Sequence, residues 1–313
     1  MKIVITGGTG FIGNSLTRNL LARGGQVAVI TRDVDRGKRE LIGQRSGNQV
    51  EQDALERGDL TVATWEDMAT VVDGADAVVN LAGASIFGQR WTDEQKKRIL
   101  NSRLKAGESV MDALAKAAKK PAVLVQGSAV GYYGLSSEPK DEDSSAGDGF
   151  LAETAVRWEE STQDAESMGV RRVIVRTGVV LGRNGGALEQ FVRPFKLFAG
   201  GVIGSGKQWL SWVHMDDEVG AIEFLMDRED LSGPFNITAP DPETMTDFVR
   251  TLGRALKRPA WLPMPSFVIK VMLGEMGEQL ILSGQRVLPK RLQESGYTFR
   301  FPRLKDALED LLQ

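Results

Sequence analysis

The chain predicts an α/β fold, an open, doubly wound, mostly parallel sheet with a smaller domain interleaved towards the C-terminus. Three observations carry that prediction. Short β-branched apolar runs alternate with longer helical patterns. Three glycines, Gly7, Gly10 and Gly13, stand where the first run hands over to the first helix. After about residue 182 the pattern changes to short apolar pieces punctuated by Gly185-Gly186, Gly200-Gly201 and Gly204-Ser205-Gly206.

The elements follow in order. Lys2 to Thr6 is a short apolar run of the kind a strand buried on both faces presents. Leu16, Leu20 and Leu21 mark a helix that Gly24-Gly25 ends, and Gln26 to Thr31 is the next strand. Together they make a βαβ unit whose crossover is right-handed. Residues 33 to 58, rich in charge, Gly and Gln, predict a surface helix and loop. Further strands are expected at Ala77 to Leu81, Ala122 to Gly127, Val173 to Arg176 and Pro234 to Ile237, with helices at Trp91 to Ala118 and Leu151 to Met168. Pro259, Pro263 and Pro265 precede a helical stretch from Phe267 to Leu282. The tail, Leu288 to Leu312, reads as helix, turn at Gly296, short aromatic strand, and helix.

Composition narrows the chemistry. The 313 residues are 42% apolar and 26% charged, with a net charge of −3, so no global basic field exists to hold nucleic acid, although a local basic patch is left open. Cysteine is absent and His214 is the single histidine, which excludes thiolate chemistry and a multi-histidine site; no metal is expected. No run reaches the roughly 18 apolar residues of a spanning helix, and Met1 to Ile5 is too short for an export signal. The expectation is a cytoplasmic or organelle-matrix protein with neither membrane nor nucleic-acid partner.

The glycine turn suits a dinucleotide. A strand, three glycines, a helix and a second strand place unpaired helix N–H groups against a pyrophosphate, and Gly7, Gly10 and Gly13, with Thr9 inside the turn, permit the close approach. The second strand ends at Thr31-Arg32, where a cation favours the 2′-phosphate of NADP(H) over the 2′-hydroxyl of NAD. The alternative makes Arg32 a solvated cation and gives the ribose to Asp33. The fold is thus Rossmann-like, with residues 1–182 and about 213–240 as the NADP-binding domain. About 183–212 and 241–313 form the smaller substrate domain.

Several stretches are similar to one family. TGGTGFIG (6–13), NLAG (80–83), QRWTDEQKKRILNSRL (89–104), GSAVGYYG (127–134), RTGVVLGRNGGAL (176–188), GSGKQWLSWVHMDD (204–217) and GQRVLPKRLQESGYTF (284–299) resemble the atypical extended short-chain dehydrogenase/reductases. Members are often labelled NAD-dependent epimerase family or nucleoside-diphosphate sugar epimerase, and carry their own C-terminal domain, here about 262–309. The resemblance implies that Gly7, Gly10, Phe11, Ile12 and Gly13 line the pyrophosphate and that Thr31 and Arg32 meet the ribose phosphate. Asn80, Leu81, Ala82 and Gly83 would pass beside the cofactor. Arg103, with Arg98 near the same helix face, would be a cofactor contact, and Val179 would approach the nicotinamide. Read without the resemblance, both arginines are a solvated cationic face.

The superfamily's Tyr-x-x-x-Lys pair is missing. Phe150 stands where the tyrosine is expected and Thr154 where the lysine is expected, and none of Tyr132, Tyr133 and Tyr297 has lysine four residues on. Substitutes are Ser128, which matches the superfamily serine and lies beside the cofactor, Tyr133 and Glu153. The bland readings are a structural corner for Tyr133 and a solvated charge for Glu153. Asp141, Glu142 and Asp143 read as a solvent-facing acidic loop, and His214 as a structural histidine with Asp216 or Asp217 capping the following helix. Lys207, Gln208 and Trp209 are the expected substrate-pocket lining.

Two functions compete. One is an NADP(H)-dependent oxidoreductase or epimerase-like enzyme for a small carbonyl, alcohol or sugar-nucleotide substrate. The other is a non-catalytic NADPH-binding regulator or scaffold. A homodimer through helices 91–118 and 151–168 is expected from the superfamily.

Overall fold

The computed structural model describes residues 1–43, 49–183 and 185–313. Among them, seven strands form one parallel sheet: β1 (Lys2–Thr6), β2 (Gln26–Thr31), β3 (Leu60–Thr64), β4 (Ala77–Asn80), β5 (Val123–Ala129), β7 (Arg171–Thr177) and β11 (Gly233–Ile237). The spatial order is β3-β2-β1-β4-β5-β7-β11, and every pairing is parallel. The chain winds outward from β1 to β3, then returns to β4 on the other side of β1. That reversal opens a crevice at the carboxyl ends of β1 and β4.

Alternation along each strand feeds both faces. Ile3 and Ile5 point to a core shared with α1 (Phe11–Ala22), α3 (Gln49–Arg57) and α8 (Met215–Asp227). Val4, Ala28 and Leu124 point to the opposite core, closed by α4 (Met68–Val72) and α5 (Asp93–Lys116). Helix α2 (Val34–Ile42) follows β2, and α6 (Phe150–Glu160) packs beside α5 closely enough that a Cβ on Gly107 would lie 2.0 Å from Ser161 Oγ.

A second core sits beyond the sheet. It gathers Leu181 of β8 (Val179–Leu181) and Trp212 of β10 (Trp212–His214) with α7 (Gly186–Lys196), α9 (Met245–Leu256) and α13 (Leu304–Leu312). Two-residue strands β9 (Trp209–Leu210) and β12 (Glu243–Thr244) pair antiparallel, and β6 (Ser136–Lys140) pairs with β13 (Gln285–Val287). The C-terminal part adds α10 (Ser266–Leu273), α11 (Glu275–Leu280) and α12 (Lys290–Glu294). No described helix is long and apolar enough to cross a membrane.

Several expectations are corrected. The strand β3 was not expected. The stretch 267–282 is two helices, because Gly274 takes φ +62° between them. The stretch 151–168 leaves α-helix after Glu160, where Ser161 Oγ donates to Trp158 O and a 3₁₀ turn, Gln163–Met168, follows. No strand forms at 297–301; the N–H groups of Arg300 and Phe301 donate instead to the Asp217 carboxylate at 2.7 and 2.8 Å. Of the surface helix and loop expected at 33–58, residues 44–48 lie outside the described residues, as does Asn184 in the 176–188 motif.

Candidate functional site

The crevice between β1 and β4 is built for close backbone approach. Gly7 has φ +73°, and a Cβ there would sit 2.8 Å from the Leu81 carbonyl carbon. A Cβ on Gly13 would lie 2.3 Å from Gly7 O, so the first turn of α1 folds directly under the glycine loop. Gly10 caps α1 with extended backbone, and neither a side-chain cap nor an acid in the first turn competes for the free N–H groups. An uncapped helix start over a cradle that a Cβ would fill fits a diphosphate.

Beneath it runs a buried chain of amides and a hydroxyl. Thr6 Oγ1 donates to Asn80 Oδ1 at 2.6 Å, Asn80 Nδ2 to Gln126 Oε1 at 2.9 Å, and Gln126 Nε2 to Gly127 O at 2.8 Å. The Ala82 N–H donates to Thr6 Oγ1, which turns the 80–83 loop over the crevice floor. The Asn80 side chain is wholly buried, so Asn80 presents only its backbone to the crevice.

The walls are set from either side. Arg32 is exposed at the end of β2, beside half-buried Thr31. Asp33, the rival for the ribose, accepts from the Arg36 N–H at 2.9 Å as the N-cap of α2. On the other wall, Ser102 Oγ accepts from the Ala84 N–H at 2.8 Å and Arg103 Nη1 donates to Ala84 O and Ile99 O. The Arg103 guanidinium stacks 4.8 Å over Trp158 and abuts Gly83. Burial lowers it to about 10, still cationic at neutral pH. Arg98 does not share that face: five residues turn a helix through about 140°, and Arg98 is exposed.

The three proton-transfer candidates are not brought together. Ser128 Oγ donates to Glu159 Oε1 at 2.6 Å, so its proton is taken. Glu159 also receives Arg176 through Nε and Nη2, at 2.9 and 3.0 Å. Arg176 Nη1 donates to Tyr133 Oη, which donates to Asn236 Oδ1 at 2.7 Å. Burial pushes the Tyr133 phenol up to about 12, which makes it a poor acid at neutral pH. Glu153 is exposed and lines a groove of about 660 Å³ with Lys96, Phe150 and Glu275. None of the glycine turn, the 80–83 loop or Val179 lines that groove. Phe150 packs edge-on against Trp91 at 5.1 Å, and the hydroxyl of buried Thr154 has no hydrogen-bond partner among the described residues.

The second lobe closes on the crevice through Phe11. A Cβ on Gly182 or Gly186 would meet the Phe11 ring at 2.7 and 2.6 Å, so Gly182 after β8 and Gly186 at the start of α7 both sit against the glycine turn. Val179, half-buried in β8, pairs with Trp212. The expected substrate trio is split. Lys207 is exposed; Gln208 Nε2 donates to Ile203 O and Ile281 O as a backbone staple; Trp209 lies under the Arg286 guanidinium at 4.7 Å. Gln208 is thus committed to structure.

Two further readings change. His214 itself caps α8: Nδ1 accepts from the Asp216 N–H at 3.0 Å, and burial lowers the imidazole, keeping it neutral. The acidic loop is not all solvent-facing. Buried Glu142 accepts from the Asn236 and Arg291 N–H groups, while Asp141 and Asp143 pair with Lys290. Sequence reasoning missed the roles of Ser102, Gln126, Glu159 and Arg176; Ser102 and Arg176 lie inside quoted motifs, and Glu159 sits beside the Trp158 that located the helix.

Residues 3–238 match the NAD dependent epimerase/dehydratase family, and residues 264–311 match a domain of unknown function, DUF1731. Epimerase family protein YfhF of Bacillus subtilis is 41% identical, covering 100% of this chain and 98% of that protein. The chloroplastic SDR39U1 homolog of Arabidopsis thaliana is 40% identical over 100% of this chain and 87% of its own. The crystal structure of human epimerase family protein SDR39U1 (isoform 2) with NADPH is similar, with a TM-score of 0.85 and 35% identity over 99% of both chains.

Proposed function

Because this chain belongs to the NAD dependent epimerase/dehydratase family, we propose that it binds NADP(H) between β1 and β4 and acts on a small carbonyl, alcohol or sugar-nucleotide substrate. One observation carries the choice of nucleotide. Arg32 is the exposed cation at the end of β2, while the neighbouring Asp33 carboxylate is engaged by its own helix. The human relative's NADPH supports the same reading.

The residues divide the work. The N–H groups of Phe11, Ile12 and Gly13 hold the diphosphate, with Gly7, Thr9 and Gly10 giving backbone approach. Thr31 and Arg32 take the 2′-phosphate. Leu81, Ala82 and Gly83, braced by Ser102 and Arg103, wall the crevice, and Val179 borders its far end. NADP(H) would supply hydride transfer. Of the three proton-transfer candidates, Glu153 alone is exposed, and because its groove is not lined by the cofactor crevice we assign it the acid/base role only for a substrate that extends from the crevice into that groove.

The second reading, a non-catalytic NADP(H)-binding regulator or scaffold, is favoured by the clamp on Ser128 and Tyr133 and by the protonless Phe150. The proposal includes a cytoplasmic location and a homodimer through α5 and α6; a monomer at micromolar concentration in sedimentation removes the dimer. Arg32→Ala separates the nucleotide readings. It is expected to weaken NADPH at least about tenfold, roughly 1.4 kcal/mol, and leave NADH unchanged. Unaltered discrimination removes Arg32 from the site. Unchanged turnover in Glu153→Gln removes Glu153 as the acid/base.

A further inference from the structure

We propose that the second lobe carries a docking surface for an anionic lipid bilayer. The sequence first separates this face by charge. Residues 190–215 hold three lysines and arginines and residues 248–274 hold five, and neither stretch contains an aspartate or glutamate, in a chain of net charge −3. The fold joins the two stretches. Trp261 Nε1 donates to Phe198 O at 3.2 Å, the Leu262 N–H donates to Gly200 O at 3.1 Å, and the Arg258 guanidinium stacks 4.4 Å from the Phe198 ring.

Exposed apolar side chains gather on the same seam. Leu197, Phe198, Trp261 and Leu262 stand out from it, with Trp261 67% exposed. Phe198 holds its exposed ring at φ +58°, a left-handed conformation that a bulky residue adopts only at a cost. The adjoining α10 adds Phe267, Val271 and Met272, while Ile269 faces inward. Around them, Lys196, Arg254, Lys257 and Arg258 are exposed and have no ion-pair partner among the described residues. Arg193 and Lys270 are paired at the edge, with Glu189 and Glu278.

An exposed apolar surface that includes an indole, together with exposed cations that have no ion-pair partner among the described residues, matches the interface of an anionic bilayer, apolar within and negative at the headgroups. A second copy of the chain is a poorer occupant, since two such faces would oppose cation to cation. Nucleic acid is poorer too. Phe198, Trp261 and Phe267 could stack bases, but Leu197, Leu262, Val271 and Met272 among them are aliphatic bulk suited to acyl chains. The attachment is peripheral, no described helix being able to span.

The test is co-sedimentation of the full chain with phosphatidylcholine vesicles, with and without phosphatidylglycerol. Binding at least about tenfold tighter to the anionic vesicles, weakening with salt, is expected. Lys257→Glu with Arg258→Glu should abolish it, and Trp261→Ser with Phe267→Ser should reduce it at least about tenfold with thermal unfolding unchanged. If the charge pair does not fold, Lys196→Glu on the exposed end of α7 carries that arm. Absence of binding by the unaltered chain, or binding that survives both sets of changes, overturns the proposal. So does concentration-dependent dimerisation that these changes abolish without vesicles, or capture of a single-stranded oligonucleotide in preference to them.

Discussion

Glu159 accepts from Ser128 Oγ and from two nitrogens of Arg176, and Arg176 in turn supports Tyr133. Both members of this ion pair are buried, so removing one strands the other charge in a low-dielectric interior. Arg176→Met is expected to cost about 3–5 kcal/mol in urea unfolding. A loss below about 1 kcal/mol would mean the pair is no clamp. Glu218 gives a pH-dependent case. It is wholly buried, Thr177 Oγ1 donates to one oxygen, the other has no partner among the described residues, and desolvation pushes the carboxyl from 4.5 up to about 8. Below the unfolded value both states keep the proton. Between 4.5 and about 8 the native state alone keeps it, so unfolding releases a proton and stability falls as pH rises, by up to about 1.4 kcal/mol per unit. Glu218→Gln should remove that fall; parallel pH profiles for the two proteins would contradict it. Neither residue was legible in the sequence, because a partner 17 or 41 positions away leaves no local spacing to read.

The first βαβ unit was legible because strand, glycine turn, helix and second strand all state the same thing within thirty residues, Lys2 to Thr31. Gly13 is its most constrained point, since an added Cβ meets backbone on two sides, at Gly7 O and at Gly8 Cα, 2.8 Å away. Gly13→Ala should therefore cost about 1–3 kcal/mol and weaken nucleotide binding at least about tenfold. Unchanged affinity in that variant would show that the turn does not touch the ligand. Elsewhere the elements were less legible. The edge strand β3 is five residues bonded to β2 alone, following a polar stretch that hid its start. The aromatic run after Gly296 looks like a strand, yet the Arg300 and Phe301 N–H groups find a carboxylate and the Tyr297 N–H the Leu292 carbonyl instead of a neighbour strand. Local pattern reports that backbone donors must be paired and not by what.

At the scale of the whole molecule, two buried carboxylates tie the C-terminal segment to the rest of the fold, one on α8 and one bonded to β11. Asp217 on α8 receives Arg300, Phe301 and the Tyr297 hydroxyl, and Glu142 receives Asn236 and Arg291. Asp217→Ala leaves two main-chain donors unpaired and should cost about 2 kcal/mol or more. Faster amide exchange confined to residues 297–311 is the expected readout, and unaltered exchange there would contradict it. The second lobe was foreseen as a change in glycine and proline spacing, while its closure on the crevice through Phe11, Gly182 and Gly186 depends on contacts 171 and more positions apart and could not be. The central claim is that this two-lobed crevice holds NADP(H) through Arg32. Calorimetric titration of the cofactor-stripped protein with NADPH and, separately, NADH tests it most directly. NADPH at least about tenfold tighter is the predicted result, and equal affinity or no binding of either nucleotide would contradict the account.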